Sequence, residues 1–215
     1  MCGILGLIPA VDETKFQKVL GLLAHRGPDG EGVWKDGGHA ILGHRRLAIL
    51  DMSSIAAQPM QYHDQYNIVF NGEIYNFLEV KKDLAALGHR FRSTSDTEVL
   101  VAAFAEWGAS CLERLNGMWA FAIWDSIEKR LFLSRDRMGE KPLYYFHNGR
   151  QFVFASEQKA LLPYLENVRP SSRFEALCKN SYSYESTDES VFKGIVRFPA
   201  AHYAWLSGDK LLKTC

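Results

Sequence analysis

The chain has 215 residues, 47 % hydrophobic and 23 % charged, the balance of a soluble globular protein and too apolar for extensive disorder. Basic and acidic side chains number 25 each, so net charge gives no electrostatic case for nucleic acid or for an anionic membrane. This length suffices for one large core, and a single domain over 1–215 is expected, with a less regular C-terminal wrap from 167 to 215.

The start, Met1-Cys2-Gly3-Ile4-Leu5-Gly6, has no basic leader region, and its apolar run is broken at Pro9 and Asp12, so it reads as neither a signal peptide nor a membrane span. Residues 4–8 form a short buried strand in this reading. A helix follows over 12–23, with Phe16, Val19, Leu20 and Leu23 at helical spacing. After the turn-rich His25-Arg26-Gly27-Pro28-Asp29-Gly30, strands are expected at 32–34, 40–44, 47–50 and 66–70. Asn76 with Glu79 reads as a capping box for a helix that Gly88 stops, and Ser95 with Glu98 as another for a helix that continues to Trp107.

Strands are then expected at 118–124, 130–134, 143–146 and 151–155, the last two joined by Asn148-Gly149. A helix is expected over 157–165. The stretch 167–190, rich in Ser and Thr, is the weakest for regular structure, and 201–206 with 210–213 make a final hairpin around Ser207-Gly208-Asp209. Grouped strands separated by paired helices give an α+β architecture of antiparallel sheets covered by helices.

Cys2 is the most informative residue. Removal of Met1 would leave a thiol and a free α-amine on one residue, a nucleophile with its own base. An α-amine with an ordinary pKa of about 7.7–8.0 suits that work better than a lysine at about 10.4. The other reading is that Cys2 is simply the second residue. Cys2, Cys111, Cys178 and Cys215 are scattered without zinc-like spacing, as in a reduced, cytoplasmic protein, and the seven histidines show no metal-ligand spacing either. No GxxxxGK[ST] or strand-linked GxGxxG marks a nucleotide site.

Five segments carry the functional signal: Cys2-Gly3-Ile4, His25-Arg26-Gly27-Pro28-Asp29, Gly43-His44-Arg45-Arg46-Leu47-Ala48-Ile49, Asn71-Gly72-Glu73-Ile74-Tyr75-Asn76, and Ser95-Asp96-Thr97-Glu98. In this order they closely resemble the class II, amino-terminal-nucleophile (Ntn) glutamine amidotransferase domain, in the branch found at the front of glutamine-dependent asparagine synthetases. Asp136-Arg137-Met138-Gly139, Lys141-Pro142-Leu143-Tyr144-Tyr145 and Ala155-Ser156-Glu157 extend the match to about residue 165. The resemblance implies a four-layer αββα sandwich of two antiparallel sheets with the nucleophile at the end of the first strand.

It also implies roles. Cys2 attacks the glutamine amide, while Asn71 gives a side-chain donor and Gly72 a backbone N–H donor to the oxyanion of the tetrahedral intermediate. Arg46 grips the substrate's α-carboxylate, Asp96 with Glu73 accepts from its α-ammonium, and Leu47 and Ile49 contribute backbone contacts. From the residues alone, Asn71-Gly72 also reads as a hairpin turn, Arg45 and Arg46 as solvated strand charges, and Asp96 as a second capping residue. Arg46 is preferred over Arg45 because alternation puts them on opposite faces and the family's arginine directly precedes the leucine.

The expected activity is hydrolysis of L-glutamine to glutamate and ammonia through a γ-glutamyl thioester. Ammonia would pass to an asparagine synthetase-like domain or subunit. That partner carries a Ser-Gly-Gly-rich pyrophosphate loop that nothing in this chain matches, so no cofactor is expected here, and ATP and Mg belong to the partner. The chain reads as an excised or solitary glutaminase half. Alternatives are another acceptor, such as a sugar acid in surface-polysaccharide synthesis, or a non-catalytic glutamine-sensing domain. The partners expected are glutamine and the synthetase, with no nucleic acid and no membrane; a homo-oligomer is left open.

Overall fold

The computed structural model describes residues 1–179, 187–188, 190–207 and 210–214. Twelve strands among the described residues form two six-stranded sheets. In chain order the larger elements are β1 (Gly3–Ile8), α1 (Glu13–Gly21), β2 (Gly30–Asp36), β3 (Ala40–Arg46), β4 (Met60–Tyr62), β5 (Tyr66–Ile74), α2 (Phe77–Ala86), α3 (Asp96–Trp107) and α4 (Cys111–Arg114). There follow β6 (Gly117–Asp125), β7 (Arg130–Arg135), β8 (Tyr144–His147), β9 (Phe152–Ala155), α5 (Phe174–Lys179), β10 (Ile195–Arg197), β11 (Tyr203–Ser207) and β12 (Lys210–Thr214). The first sheet has the order β10-β8-β9-β1-β3-β2 and the second β12-β11-β7-β6-β5-β4, with antiparallel neighbours throughout.

Alternation along each strand builds the layers. In β1, Ile4 points into a core between the sheets with Leu42, Val69, Ala122, Leu133 and Phe154, while Leu5 and Leu7 point outward onto Phe16, Val19 and Leu20 of α1. On the second sheet, Phe70, Phe121 and Phe132 face outward onto Val80 and Leu84 of α2 and Leu100 and Phe104 of α3. The result is helix, sheet, sheet, helix: the expected four-layer αββα arrangement. The aromatic strand residues Trp119, Phe121 and Trp124 are core.

Several local expectations fail for physical reasons. Residues 47–50 are not a strand: the Leu47 N–H donates to Cys2 Sγ and the Ala48 N–H to Asp29 Oδ2, so these backbone groups serve the loop around a cavity rather than a ladder. The alternative of a hairpin turn at Asn71-Gly72 is excluded, because β5 continues through both residues, with Asn71 opposite Ala120 and Gly72 opposite Trp119. Asn76 does not cap α2; its amide is engaged by Asn116 N–H at 2.8 Å and Arg114 C=O at 2.9 Å. At α3, Ser95 Oγ accepts from Thr97 N–H at 3.0 Å, but Glu98 turns to the N–H groups of Arg92 and Ser93, so half of the capping box forms.

The helix expected over 157–165 is two separate 3₁₀ turns, Gln158–Ala160 and Leu162–Tyr164. Pro163 lies between the limits of a continuous helix and has no N–H to donate back to Lys159. Strands β4 and β10, three residues each, are too short to show a period in the sequence, and α5 lies within the stretch weakest for regular structure. The hairpin of β11 and β12 is present, while its tip at 208–209 and residues 180–186 of the weak stretch lie outside the described residues.

Candidate active site

The start of β1, the end of β3, the end of β5 and the start of α3 converge on one cavity of about 300 Å³. Its lining includes Cys2, Arg46, Leu47, Ile49, Asn71, Gly72, Glu73 and Asp96. The eight residues singled out in the sequence, drawn from four segments, are therefore brought together.

Cys2 is partly buried beside the loop after β3. The Leu47 N–H donates to its Sγ at 3.4 Å, and the thiol lies 3.6 Å from Leu47 C=O. Burial pushes the thiol pKa up, opposed by the Leu47 hydrogen bond, the amino-terminal charge and the guanidinium groups of Arg46 and Arg26. Arg26 donates from Nε to the Cys2 carbonyl at 2.9 Å and from Nη1 to Glu157 at 3.0 Å. Glu157 also meets His25 Nε2 at 2.8 Å, and Ser156 exchanges two 3.0 Å hydrogen bonds with Ile4. The Ser156-Glu157 pair thus anchors the start of β1, which the sequence did not reveal.

Arg46 lines the cavity, whereas Arg45 turns away and pairs with Glu31 across β2. The Arg46 guanidinium is aimed by two loop carbonyls, donating to Ser53 C=O at 2.9 Å and to Asp51 C=O. Asp51, another residue the sequence did not reveal, ties that loop to the approach of α3: its carboxylate accepts from Ser53 Oγ at 2.6 Å, Ser53 N–H at 2.9 Å, Thr94 N–H at 2.9 Å and Thr94 Oγ1 at 3.0 Å. Those donors hold its pKa well below the usual carboxylate range.

Asp96 opens α3, and its Oδ2 accepts the Ile74 N–H at 3.0 Å. Burial pushes its pKa up to about 6; the Ile74 bond pulls the other way, and the neighbouring Glu73 charge adds to the rise. Asn71 is 1 % exposed, and its Nδ2 has no protein partner. A buried amide donor left unsatisfied is costly unless something outside the protein accepts from it. Gly72 must be glycine, since a Cβ there would collide with the Met118 carbonyl and the Phe70 ring. Ile49 sits at the mouth, 65 % exposed, whereas Leu47 is nearer the thiol.

Residues 1–214 match the family model for the glutamine amidotransferase domain. The chain belongs to the glutamine amidotransferase domain family. It is 37 % identical over 222 residues to an asparagine synthetase (glutamine-hydrolysing) of Bacillus subtilis, covering 98 % of this chain and 36 % of that protein. A putative asparagine synthetase of Methanocaldococcus jannaschii is 40 % identical over 242 residues, covering 95 % of this chain and 46 % of the relative. The chain thus spans less than half the length of either. The solved glutamine phosphoribosylpyrophosphate amidotransferase of Bacillus subtilis, in complex with ADP and GMP, superposes with TM-score 0.69 at 20 % identity over 99 % of this chain and 49 % of its own. That likeness shows the shared Ntn-type amidotransferase fold. Among the described residues, no helix is long and apolar enough to cross a membrane.

Proposed function

We propose that this domain hydrolyses L-glutamine to glutamate and ammonia through a γ-glutamyl thioester on Cys2, and that the ammonia serves a synthetase domain of the asparagine synthetase type. The observation that carries the reading is the buried, unpartnered Nδ2 of Asn71 in the same cavity as the Cys2 thiol. One group is a donor waiting for an acceptor, and the other is a nucleophile.

With Met1 removed, the free α-amine of Cys2 takes the thiol proton as sulfur attacks the side-chain carbonyl carbon. The carbonyl oxygen becomes an oxyanion held by Asn71 Nδ2–H and Gly72 N–H. Collapse breaks the C–N bond, the α-ammonium returns its proton to the departing nitrogen, and ammonia leaves. Water then attacks the thioester with the α-amine again as base, giving glutamate and the free thiol. Arg46 binds the substrate's α-carboxylate, and Asp96, with Glu73 beside it, its α-ammonium. A bound ammonium favours the ionised form of Asp96 and lowers its raised pKa. Leu47 and Ile49 close the walls of the cavity.

No cofactor enters these steps; ATP and Mg are assigned to the partner domain. The asparagine synthetase relatives support aspartate as the final acceptor, and a sugar acid is the competing acceptor for the same half-reaction. The cytoplasm is the proposed compartment, in keeping with the free thiols of Cys2, Cys111 and Cys178. The test is ammonia release from L-glutamine by the wild-type chain beside Cys2→Ala. Release that vanishes in the variant while glutamine still binds supports the reading, and a wild-type chain lacking Met1 that binds glutamine without turnover leaves only the sensing alternative.

A further inference from the structure

Strand β5 has one fully paired edge, against β6 from Tyr66 to Ile74. On the other edge β4 reaches only as far as Ile68. Alternation places the N–H and C=O groups of Phe70, Gly72 and Ile74 on that unprotected edge, inside the protein, where unpaired backbone groups are costly. Side chains replace the missing strand at the two outer positions. Ile74 N–H donates to Asp96 Oδ2 at 3.0 Å; Phe70 C=O accepts from His44 Nε2 at 3.1 Å; and Phe70 N–H donates to Gln58 Oε1 at 2.6 Å. Gly72, between them, is left facing the cavity.

Gln58 does more than fill a gap. It is 8 % exposed, lines the cavity, and donates from Nε2 to Thr97 Oγ1 at 3.2 Å. Thr97 is the neighbour of Asp96 in the first turn of α3. The close seating of Gln58 against the first sheet is allowed by Gly32, where a Cβ would collide with its carbonyl oxygen. One side chain therefore spans from the residue preceding Asn71 to the residue following Asp96.

We propose that Gln58 is a positioning residue for the oxyanion pocket, fixing the open edge of β5 against α3 so that Asn71 Nδ2–H and Gly72 N–H lie where charge develops. The inference rests on the glutaminase reading above. Gln58 touches no reacting atom in this account; it sets the distance between the donors at one end of the substrate and the Asp96 anchor at the other. A primary amide suits the position because it accepts at one end and donates at the other. Asp96 keeps its own bond to Ile74 when Gln58 is changed, so ground-state binding is preserved while transition-state stabilisation is lost.

The experiment compares the wild-type chain with Gln58→Met, which keeps the length but loses both hydrogen bonds. Thr97→Val and Thr97→Ser remove and retain the far contact. Ammonia release from L-glutamine gives kcat and KM. Glutamate γ-semialdehyde probes the oxyanion pocket: the Cys2 sulfur bonds to its aldehyde carbon, the C=O π bond opens, and the thiol proton ends on the oxygen that occupies the pocket. For Gln58→Met, kcat falls roughly 10- to 100-fold, the cost of a small misplacement at a preorganised site, while KM stays within about threefold. Semialdehyde affinity falls in step with kcat and L-glutamate affinity holds. Thr97→Val moves the same way, and Thr97→Ser restores the wild-type values.

Unchanged kcat in a folded Gln58→Met overturns the proposal, as does a kcat loss matched by equal losses in KM and glutamate affinity. If Gln58→Met does not fold, the Thr97 pair decides by the same criteria. A wild-type chain lacking Met1 and without glutamine turnover removes the functional reading and this inference together; an active wild type with unaltered variants removes the inference alone.

Discussion

Arg26 donates from Nε to the carbonyl oxygen of Cys2 at 2.9 Å, so the residue carrying the thiol is gripped by a guanidinium that does not itself line the cavity. The same guanidinium reaches Glu157, which also meets His25 and Lys159. Arg26→Ala is expected to lower stability by roughly 1–3 kcal/mol, the range for losing hydrogen bonds to a charged group that leave a carboxylate underpaired. It should also lower kcat/KM, because the thiol loses its fixed direction. Thermal unfolding and ammonia release, measured together, check both; an active, fully stable Arg26→Ala would reduce this contact to packing.

Asn71→Ala removes a donor that has no protein partner, so the fold loses little and the oxyanion loses much. The expected fall in kcat is roughly 10²–10³ with KM nearly unchanged, as for other oxyanion-hole donors. Gly72→Ala is expected to abolish turnover for a different reason, since its Cβ would strike the Met118 carbonyl and push β5 off β6. A wild-type kcat in Asn71→Ala would return Asn71 to an ordinary strand residue.

The raised pKa of Asp96 predicts a pH dependence with a definite sign. Its value near 6 in the free domain means that the carboxyl becomes neutral as pH falls through 6, and a neutral Asp96 no longer attracts the substrate ammonium. Accordingly, kcat/KM for glutamine should fall below about pH 6, with kcat at saturating glutamine less affected because bound substrate holds Asp96 ionised. Asp96→Asn should flatten that limb and raise KM at neutral pH. Steady-state profiles of wild type and variant provide the check; a limb that persists in Asp96→Asn assigns it elsewhere.

His44 predicts a separate effect on stability. It is fully buried, and burial lowers its pKa from 6.5 to about 4, with the bond to Phe70 C=O opposing and Arg46 adding to the fall. A depressed folded-state pKa gives stability that is present above pH 6.5 and is lost as pH falls toward 4, on the order of 3 kcal/mol at about 1.4 kcal/mol per pKa unit. Asp96 works in the opposite direction, since its raised pKa favours the fold once the carboxyl is protonated. His44→Phe should therefore be less stable at pH 7, through the lost bond to Phe70, yet lose less stability between pH 7 and 4.5. Denaturant midpoints at the two pH values test this, and an equal acid loss in both proteins would contradict it.

Much of the site could be read in the sequence because its residues fall in short contiguous motifs. Arg46 and Leu47 are adjacent, as are Asn71, Gly72 and Glu73, and the resemblance carries their spacing with them. Strands such as β1, β5 and β6 were legible because burial imposes apolar runs. What stayed hidden depends on partners distant in the chain. Arg26 and Glu157 are 131 residues apart, and Asp51 and Thr94 are 43 apart. Gln58 sits in a segment without periodicity, where nothing in the sequence announces that Phe70 lacks a strand partner. The stretch 47–50 has the apolar content of a strand, but the Leu47 N–H goes to the Cys2 thiol 45 residues earlier in the chain. Asn76 has the chemistry of a cap and is diverted to Asn116.

Whether the Cys2 thiol works with its own α-amine is read from glutamine-dependent ammonia release measured against the fraction of molecules lacking Met1, counted by intact mass. Turnover should scale with that fraction and approach zero in a uniformly Met1-retaining sample, because the Cys2 nitrogen is then an amide without a basic lone pair. Full turnover by the uniformly unprocessed chain would contradict the mechanism.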